Sequence, residues 1–266
     1  PVFGYLPRDD RLALPERHLG LVPAAENTAL DRFLEESAET MSAHLDLDGI
    51  ADLHCRKSFP VTSQSGPAIL PLAQRVSVAR DVAFPFTYPH IIDNWHDAGA
   101  EVSFFSPLSN EPPRRGAAVF LPGGYPELHA GQLAANTRFM DGMREAANEG
   151  HPIYGECGGY MALGAGLIDA HGERHAMCGL LPLVTSFAER RLHLGYRDAE
   201  LLADIALGKL GTRFRGHEFH YATVVEEGEE DPLFQCCDST GEVTSLIGRR
   251  VANVSGSFLH LIDRYS

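Results

Sequence analysis

Apolar and polar positions change rhythm twice along this chain. Residues 2–6 (VFGYL) form a short apolar run that reads as a strand, ended by the turn-like Pro7-Arg8-Asp9-Asp10. From Asn27 onward, Leu30, Phe33, Leu34, Ser37, Ala38 and Met41 recur at helical spacing, with Asn27 or Thr28 placed to cap the helix. Residues 58–74 lose all periodicity and include Ser63-Gln64-Ser65-Gly66-Pro67, the texture of a linker. Beyond it, strands are predicted at 75–81, 100–106, 117–121 and 151–154, and helices at 88–98 and 133–148. Apolar strands alternating with helices predict an α/β fold with a mostly parallel sheet covered on both faces. The last third reads as further strands at 176–181, 191–196, 216–222, 242–247 and 252–258, interrupted by an acidic run from Glu226 to Asp231 expected to be a solvated loop.

Composition narrows the function. The 266 residues carry 22 basic and 36 acidic side chains, a formal charge of −14 that opposes nucleic-acid binding. No apolar run approaches the roughly 20 residues a membrane-spanning helix needs, and no signal-like segment opens the chain. Five cysteines, an odd number without regular spacing, read as reduced thiols of a cytoplasmic protein. The adjacent Cys236-Cys237 lacks a second Cys or His pair, so no metal site is expected.

The densest chemistry lies in Ile153-Tyr154-Gly155-Glu156-Cys157-Gly158-Gly159-Tyr160. A strand running into Gly-x-Cys-x-Gly and out as a helix is a nucleophile elbow with sulfur in place of the hydroxyl. The elbow puts the thiol at a helix N-terminus, which is expected to favour thiolate. A buried cysteine packing as a small hydrophobe is the competing reading; the flanking strand and helix favour the elbow. A thiolate needs oxyanion donors and a base. Leu121-Pro122-Gly123-Gly124-Tyr125-Pro126-Glu127 ends a strand of the same sheet, and its glycines could present N–H groups beside that of Gly158. Thirteen histidines leave the base open: His260, His217 and His220 are candidates, and strand alternation puts His217, Phe219 and Tyr221 on one face, Glu218 and His220 on the other.

In order, the segments 121–127, 154–161, 216–221 (GHEFHY) and 256–260 (GSFLH), with Thr185-Ser186-Phe187 and 192–196 (LHLGY), resemble the cobyrinic and hydrogenobyrinic acid a,c-diamide synthases of cobalamin biosynthesis. These are ligases that use glutamine as amido donor (EC 6.3.5 type). The resemblance implies a class I glutamine amidotransferase domain (flavodoxin-like) over 75–266 and a linker over 58–74. Residues 1–57 would be the closing remnant of an α/β, P-loop-type, ATP-dependent synthetase domain. By the same resemblance, Cys157 matches the nucleophile, His260 the general base, and Gly123, Gly124 and Gly158 the oxyanion-hole and glutamine-binding positions. Many class I enzymes place a Glu two residues after the histidine to orient it; here that position is Ile262, which leaves Asp263 as a weak candidate orienter.

The implied partners are glutamine and a corrinoid polycarboxylate, the latter through the synthetase domain; a homodimer is left open. Arg8, Arg11, Arg17 and His18 are candidate contacts for the corrinoid carboxylates, as guanidinium forks suit carboxylates, with salt bridges to the surplus acids as the alternative. A second basic cluster is Arg190, Arg191, His193 and Arg197. ATP and magnesium are implied for the full-length enzyme only. The single Gly-Lys pair, Gly208-Lys209, is followed by Leu210, and Ala203 stands where the first glycine of a Walker A loop belongs. With the start at Pro1, this is the expectation for a fragment without its ATP site. Two other readings compete. One is a different Cys–His hydrolase such as a γ-glutamyl hydrolase, which needs no upstream synthetase segment. The other is a catalytically silent interaction module, against which intact Cys157 and His260 argue.

Overall fold

The computed structural model describes all residues except Pro15, His18, Leu19, Pro23, 57–67, Glu230, Glu242 and Ser266, together with the side chains of 16, 17, 20, 21, 25, 54–56, 243 and 244. The chain divides into two compact units, Pro1–Gln64 and Ser65–Ser266.

In the first unit, short strands β1 (Glu16–Arg17) and β2 (Gly20–Leu21) pair antiparallel, followed by helices α1 (Leu30–His44) and α2 (Leu47–Arg56). The strand expected at 2–6 is absent. Only Gly4 makes a bridge, to Leu45, and its φ of +126° breaks extended geometry. Neither expected residue caps α1: Ala29 occupies that place, and Asn27 instead accepts the Ala29 N–H in a turn. Within the apolar stripe of α1, Leu34 and Met41 are exposed.

The second unit contains β3 (Arg75–Ala79), α3 (Pro89–Asp97), β4 (Glu101–Phe105), β5 (Ala118–Leu121), α4 (Ala130–Ala135), α5 (Thr137–Asn148), β6 (Ile153–Glu156) and α6 (Gly158–Leu163). Then follow β7 (Gly166–Ile168), β8 (Arg174–Ala176), β9 (Leu183–Ser186), β10 (His193–Leu201), β11 (Arg213–His220), β12 (Thr223–Glu227), β13 (Pro232–Cys237), β14 (Val243–Val251), β15 (Val254–Ser257) and β16 (Leu259–Tyr265). The main sheet has the order β16-β11-β10-β13-β14-β15-β6-β5-β3-β4. From β15 to β4 it is parallel, as the alternation with helices required. From β16 through β15 it continues antiparallel; of these pairs β10–β11, β13–β14 and β14–β15 are consecutive in the chain, while β11–β16 and β10–β13 are long-range. A second sheet runs β12-β9-β7-β8.

Both faces of the parallel half are covered. Leu133 of α4, Phe139 and Met143 of α5 and Tyr160 to Leu163 of α6 bury one face with Val119, Leu121 and Ile153. Ile91, Ile92 and Trp95 of α3 bury the other with Val76, Val78 and Phe120, and the Trp95 indole N–H donates to the Ile69 carbonyl at 3.2 Å. The helix expected at 133–148 is two helices. Asn136 breaks it by turning its side-chain amide to the carbonyls of Pro107 (2.8 Å) and Leu108 (3.1 Å).

The strand expected at 176–181 is instead β8 ending at Ala176, with β9 beginning only at Leu183. The acidic run is not simply a solvated loop. Glu226 and Glu227 belong to β12 and pair with Arg174 (3.1 Å) and Arg249 (2.7 Å), while Asp231 pairs with Arg250 (2.6 Å). Among the described residues, no helix is long and apolar enough to cross a membrane.

Candidate active site

The site is built where β6 stops. Cys157 has φ +46° and ψ −104°, a conformation disfavoured for a residue with a Cβ, and it is held there from both sides. Its N–H donates to the Ser257 carbonyl of β15 (2.8 Å), and its carbonyl accepts the Met161 N–H (3.0 Å) as α6 begins. The glycines around it are required by close packing. A Cβ on Gly159 would collide with the Leu121 carbonyl, and one on Gly155 would lie 2.8 Å from Gly159 C and Leu163 Cδ1. Gly159→Ala is therefore expected to cost about 1–3 kcal/mol, as overpacking without room to relax does; urea unfolding of the variant measures it.

The Gly123-Gly124 loop at the end of β5 joins the two catalytic candidates. A Cβ on Gly123 would strike the His260 ring at Cε1, and one on Gly158 would lie 2.8 Å from Gly124 N and 2.9 Å from Pro126 Cδ. The loop is anchored by the Phe86 N–H on the Gly123 carbonyl (3.1 Å) and the Tyr125 N–H on the Ala83 carbonyl (2.9 Å). His260 and Gly158 therefore both pack against these two residues. A further bond ties the strands that carry them: the Leu261 N–H donates to Glu156 Oε1 at 3.2 Å.

The protonation states differ from the sequence expectation. Cys157 is 2% exposed, and burial, reinforced by the negative charges of Glu127, Glu156 and Glu218, pushes its thiol up to about 12, although the Gly158 N–H acts in the opposite sense. The helix N-terminus does not yield a resting thiolate, because desolvation outweighs it. Its S–H points to the Phe219 carbonyl at 3.9 Å. His260, 4% exposed, is held down to about 3 by burial and by the nearby His217 and His220. The free site thus holds a neutral thiol and a neutral imidazole.

These shifts set a pH dependence of stability. His260 and His220 fall to about 3 in the fold from 6.5, so what they contribute is present above pH 6.5 and lost as pH falls through that window toward 3. Burial raises Glu156 from 4.5 to about 8, so its contribution is present below pH 4.5 and lost as pH rises through 8. Thermal unfolding followed across this range is expected to show losses on both sides, and Glu156→Gln to flatten only the alkaline one.

Among the described residues, no hydrogen bond joins Asp263 to His260. The Asp263 carboxylate lies 3.7 Å from Arg215, its cross-strand partner, two residues along β11 from the His217–His260 pair. Arg11 is held by Asp9 through three contacts of 2.6–3.1 Å, a salt bridge rather than a ligand fork, while Arg8 is exposed. The Arg17 side chain and His18 lie outside the described residues. In the second basic cluster, Arg197 pairs with Glu218 at 2.7 Å. Arg191 and His193 line a cavity of about 370 Å³ with Tyr160, His220 and Phe258.

Among the described residues, Asp169, Glu173 and His175 bring one ligand atom each within 4.8 Å. Asp169 already accepts the N–H groups of His171 (2.8 Å) and Glu173 (3.0 Å) and bonds His175 (3.0 Å), which accounts for the cluster as a turn. Gly208-Lys209 forms a turn in which Gly208 bridges Ile205 and Lys209 pairs with Asp204 (2.9 Å), so these residues do not fit a nucleotide phosphate. Sequence reading missed Tyr88, whose hydroxyl lies 2.6 Å from the His217 ring, because no local pattern marks a contact across 129 residues.

A cysteine elbow and a glycine loop at the ends of parallel strands, with a buried histidine on β16 beside that loop, are the parts of a glutamine amidotransferase site. Residues 75–264 match the family model of the CobB/CobQ-like glutamine amidotransferase domain, and the chain belongs to that family. Hydrogenobyrinate a,c-diamide synthase of Brucella anthropi is 52% identical over 265 residues, 99% of this chain and 60% of its own. The enzyme of that name from Sinorhizobium sp is 53% identical over 266 residues with the same coverage, and that of Rhodobacter capsulatus 49% over 262 residues, 98% of this chain and 59% of its own. The chain thus spans about 60% of the length of the curated relatives it matches. Among solved structures, a glutamine amidotransferase from Thermotoga maritima aligns with a TM-score of 0.48 at 17% identity, over 70% of this chain and 75% of that one.

Proposed function

We propose that residues 75–266 hydrolyse glutamine and release ammonia for the ATP-dependent amidation of the a and c acetate carboxylates of hydrogenobyrinate, a cytoplasmic step of cobalamin biosynthesis. The observation that carries the glutaminase reading is the Gly123-Gly124 loop, against which both the His260 ring and Gly158, next to Cys157, are packed. The corrinoid substrate rests on the relatives' names and 49–53% identity. On this reading residues 1–57 belong to the synthetase half, and Arg8 remains a contact for a corrinoid carboxylate.

Cys157 attacks the side-chain amide carbon of glutamine as His260 takes the thiol proton. The N–H groups of Gly158 and Gly124 hold the oxyanion, whose charge compensates the imidazolium that forms with it. His260 then gives the proton to the departing nitrogen, ammonia leaves, and water, deprotonated by His260, hydrolyses the γ-glutamyl thioester to glutamate. The ATP-dependent step is assigned to the synthetase half, and Gly208-Lys209, a turn, is not its phosphate loop. Adding ATP and Mg²⁺ to this chain with the corrinoid acid is expected to give no diamide, as mass spectrometry of the corrinoid would show.

A diazo-ketone glutamine analogue, followed by peptide mapping, tests the assignment. Stoichiometric modification of Cys157 with loss of ammonia release is expected; preferential modification of Cys178 or Cys236 would overturn it.

A further inference from the structure

Among the described residues, no carboxylate hydrogen-bonds to His260. Ile262 stands where many class I enzymes carry the orienting Glu, Asp263 turns to Arg215, and no hydrogen bond reaches the ring nitrogens of His260 among the described residues. His217 of β11 is the direct cross-strand partner of His260 in β16, and the two imidazoles stack with centroids 4.8 Å apart and planes 5° from parallel. The other end of the His217 ring shares a hydrogen bond of 2.6 Å with the Tyr88 hydroxyl. The segment carrying Tyr88 is fastened a second time, through the His90 ring on the Ile262 carbonyl at 2.8 Å. Tyr88 and His90 thus clamp both strands of the pair that carries His260, while Gly123 closes on the Cε1 edge of the catalytic ring.

We propose that His217, locked by Tyr88, is the positioning residue that orients the His260 imidazole by ring stacking, in place of a hydrogen-bonding carboxylate. A stacked flat ring resists flipping of its neighbour, and the Tyr88 bond prevents His217 from turning about its own side-chain axis. His217 itself takes no proton from glutamine or Cys157. This inference rests on the reading of His260 as the base.

The test compares His217→Ala, His217→Phe, Tyr88→Phe and the Tyr88→Phe/His217→Phe double variant of the full chain. Ammonia release gives kcat and KM, and the Cys157 labelling rate with the diazo-ketone analogue gives a readout that does not need turnover. His217→Ala is expected to lower kcat and the saturating labelling rate about tenfold or more, with the KM for glutamine within about twofold. His217→Phe, which keeps the flat ring, is expected to restore most of that loss. Tyr88→Phe is expected to slow the parent several-fold but to have no effect in the His217→Phe background, since the bond it removes is already gone.

His217→Ala within twofold of the parent, or a Tyr88→Phe effect equal in both backgrounds, would overturn the proposal. If His217→Ala fails to fold by near-ultraviolet circular dichroism, the Phe variants decide the same question. The base reading is judged separately by His260→Ala. Labelling as fast as the parent removes that reading, whereas slow labelling in His260→Ala with fast labelling in His217→Ala removes only the stacking inference.

Discussion

Cys157→Ala is expected to lower ammonia release from glutamine by about 10⁴-fold or more, the scale set by removing a nucleophile from a unit that acts together. The variant should remain folded, because the side chain fills a buried turn held by backbone bonds to Ser257 and Met161 rather than by its sulfur. The same exchange at Cys178 or Cys236 should leave turnover nearly unchanged. Both thiols are buried and raised to about 12, like Cys157. Cys178 contacts Met140 sulfur at 3.5 Å, and Cys236 lies in the apolar core with Phe214 and Phe234. What separates Cys157 is its elbow and its neighbours, not its acidity. A fluorometric glutamate assay on the three variants, with thermal melts beside it, distinguishes them.

His260→Ala is expected to cost about 10²- to 10⁴-fold in turnover, the range for loss of a positioned acid–base group. The reason for an effect this large is the high pKa of Cys157. With the thiol near 12, only about one molecule in 10⁴ carries a thiolate at pH 8, so little reaction proceeds without a base in place. The variant should then depend on hydroxide: the labelling rate should rise about tenfold per pH unit through the alkaline range, whereas the parent profile stays flatter. A parent and a variant with the same slope would show that His260 does not carry the proton.

The local chemistry was legible in the chain because it is written in contiguous residues. A buried strand, Gly155-x-Cys157-x-Gly159 and a short helix can fold only as a tight elbow, and Pro122-Gly123-Gly124 ends a strand of the same kind. The parallel half of the sheet was likewise readable, since strands such as 118–121, buried along their whole length, require cover on both faces. Errors fell where long-range partners decide. Asn136 breaks a helix-patterned stretch because the carbonyls of Pro107 and Leu108 are there to receive its amide. The acidic run pairs with three arginines from two other places in the chain, β8 and β14.

Sequence by itself determined the family, and through that resemblance pointed to Cys157, His260 and the glycines of the elbow and the Gly123-Gly124 loop, because contiguous motifs carry those residue types. Tertiary structure alone decided the electrical state and the support of the site. Burial depends on every element packed over Cys157 and His260, and it reversed the expected thiolate into a neutral thiol. The pairing of β11 with β16 set His217 on His260, and a loop 129 residues away brought Tyr88 to hold it. Neither desolvation nor cross-strand register is a local property, which is why neither could be read from the motifs.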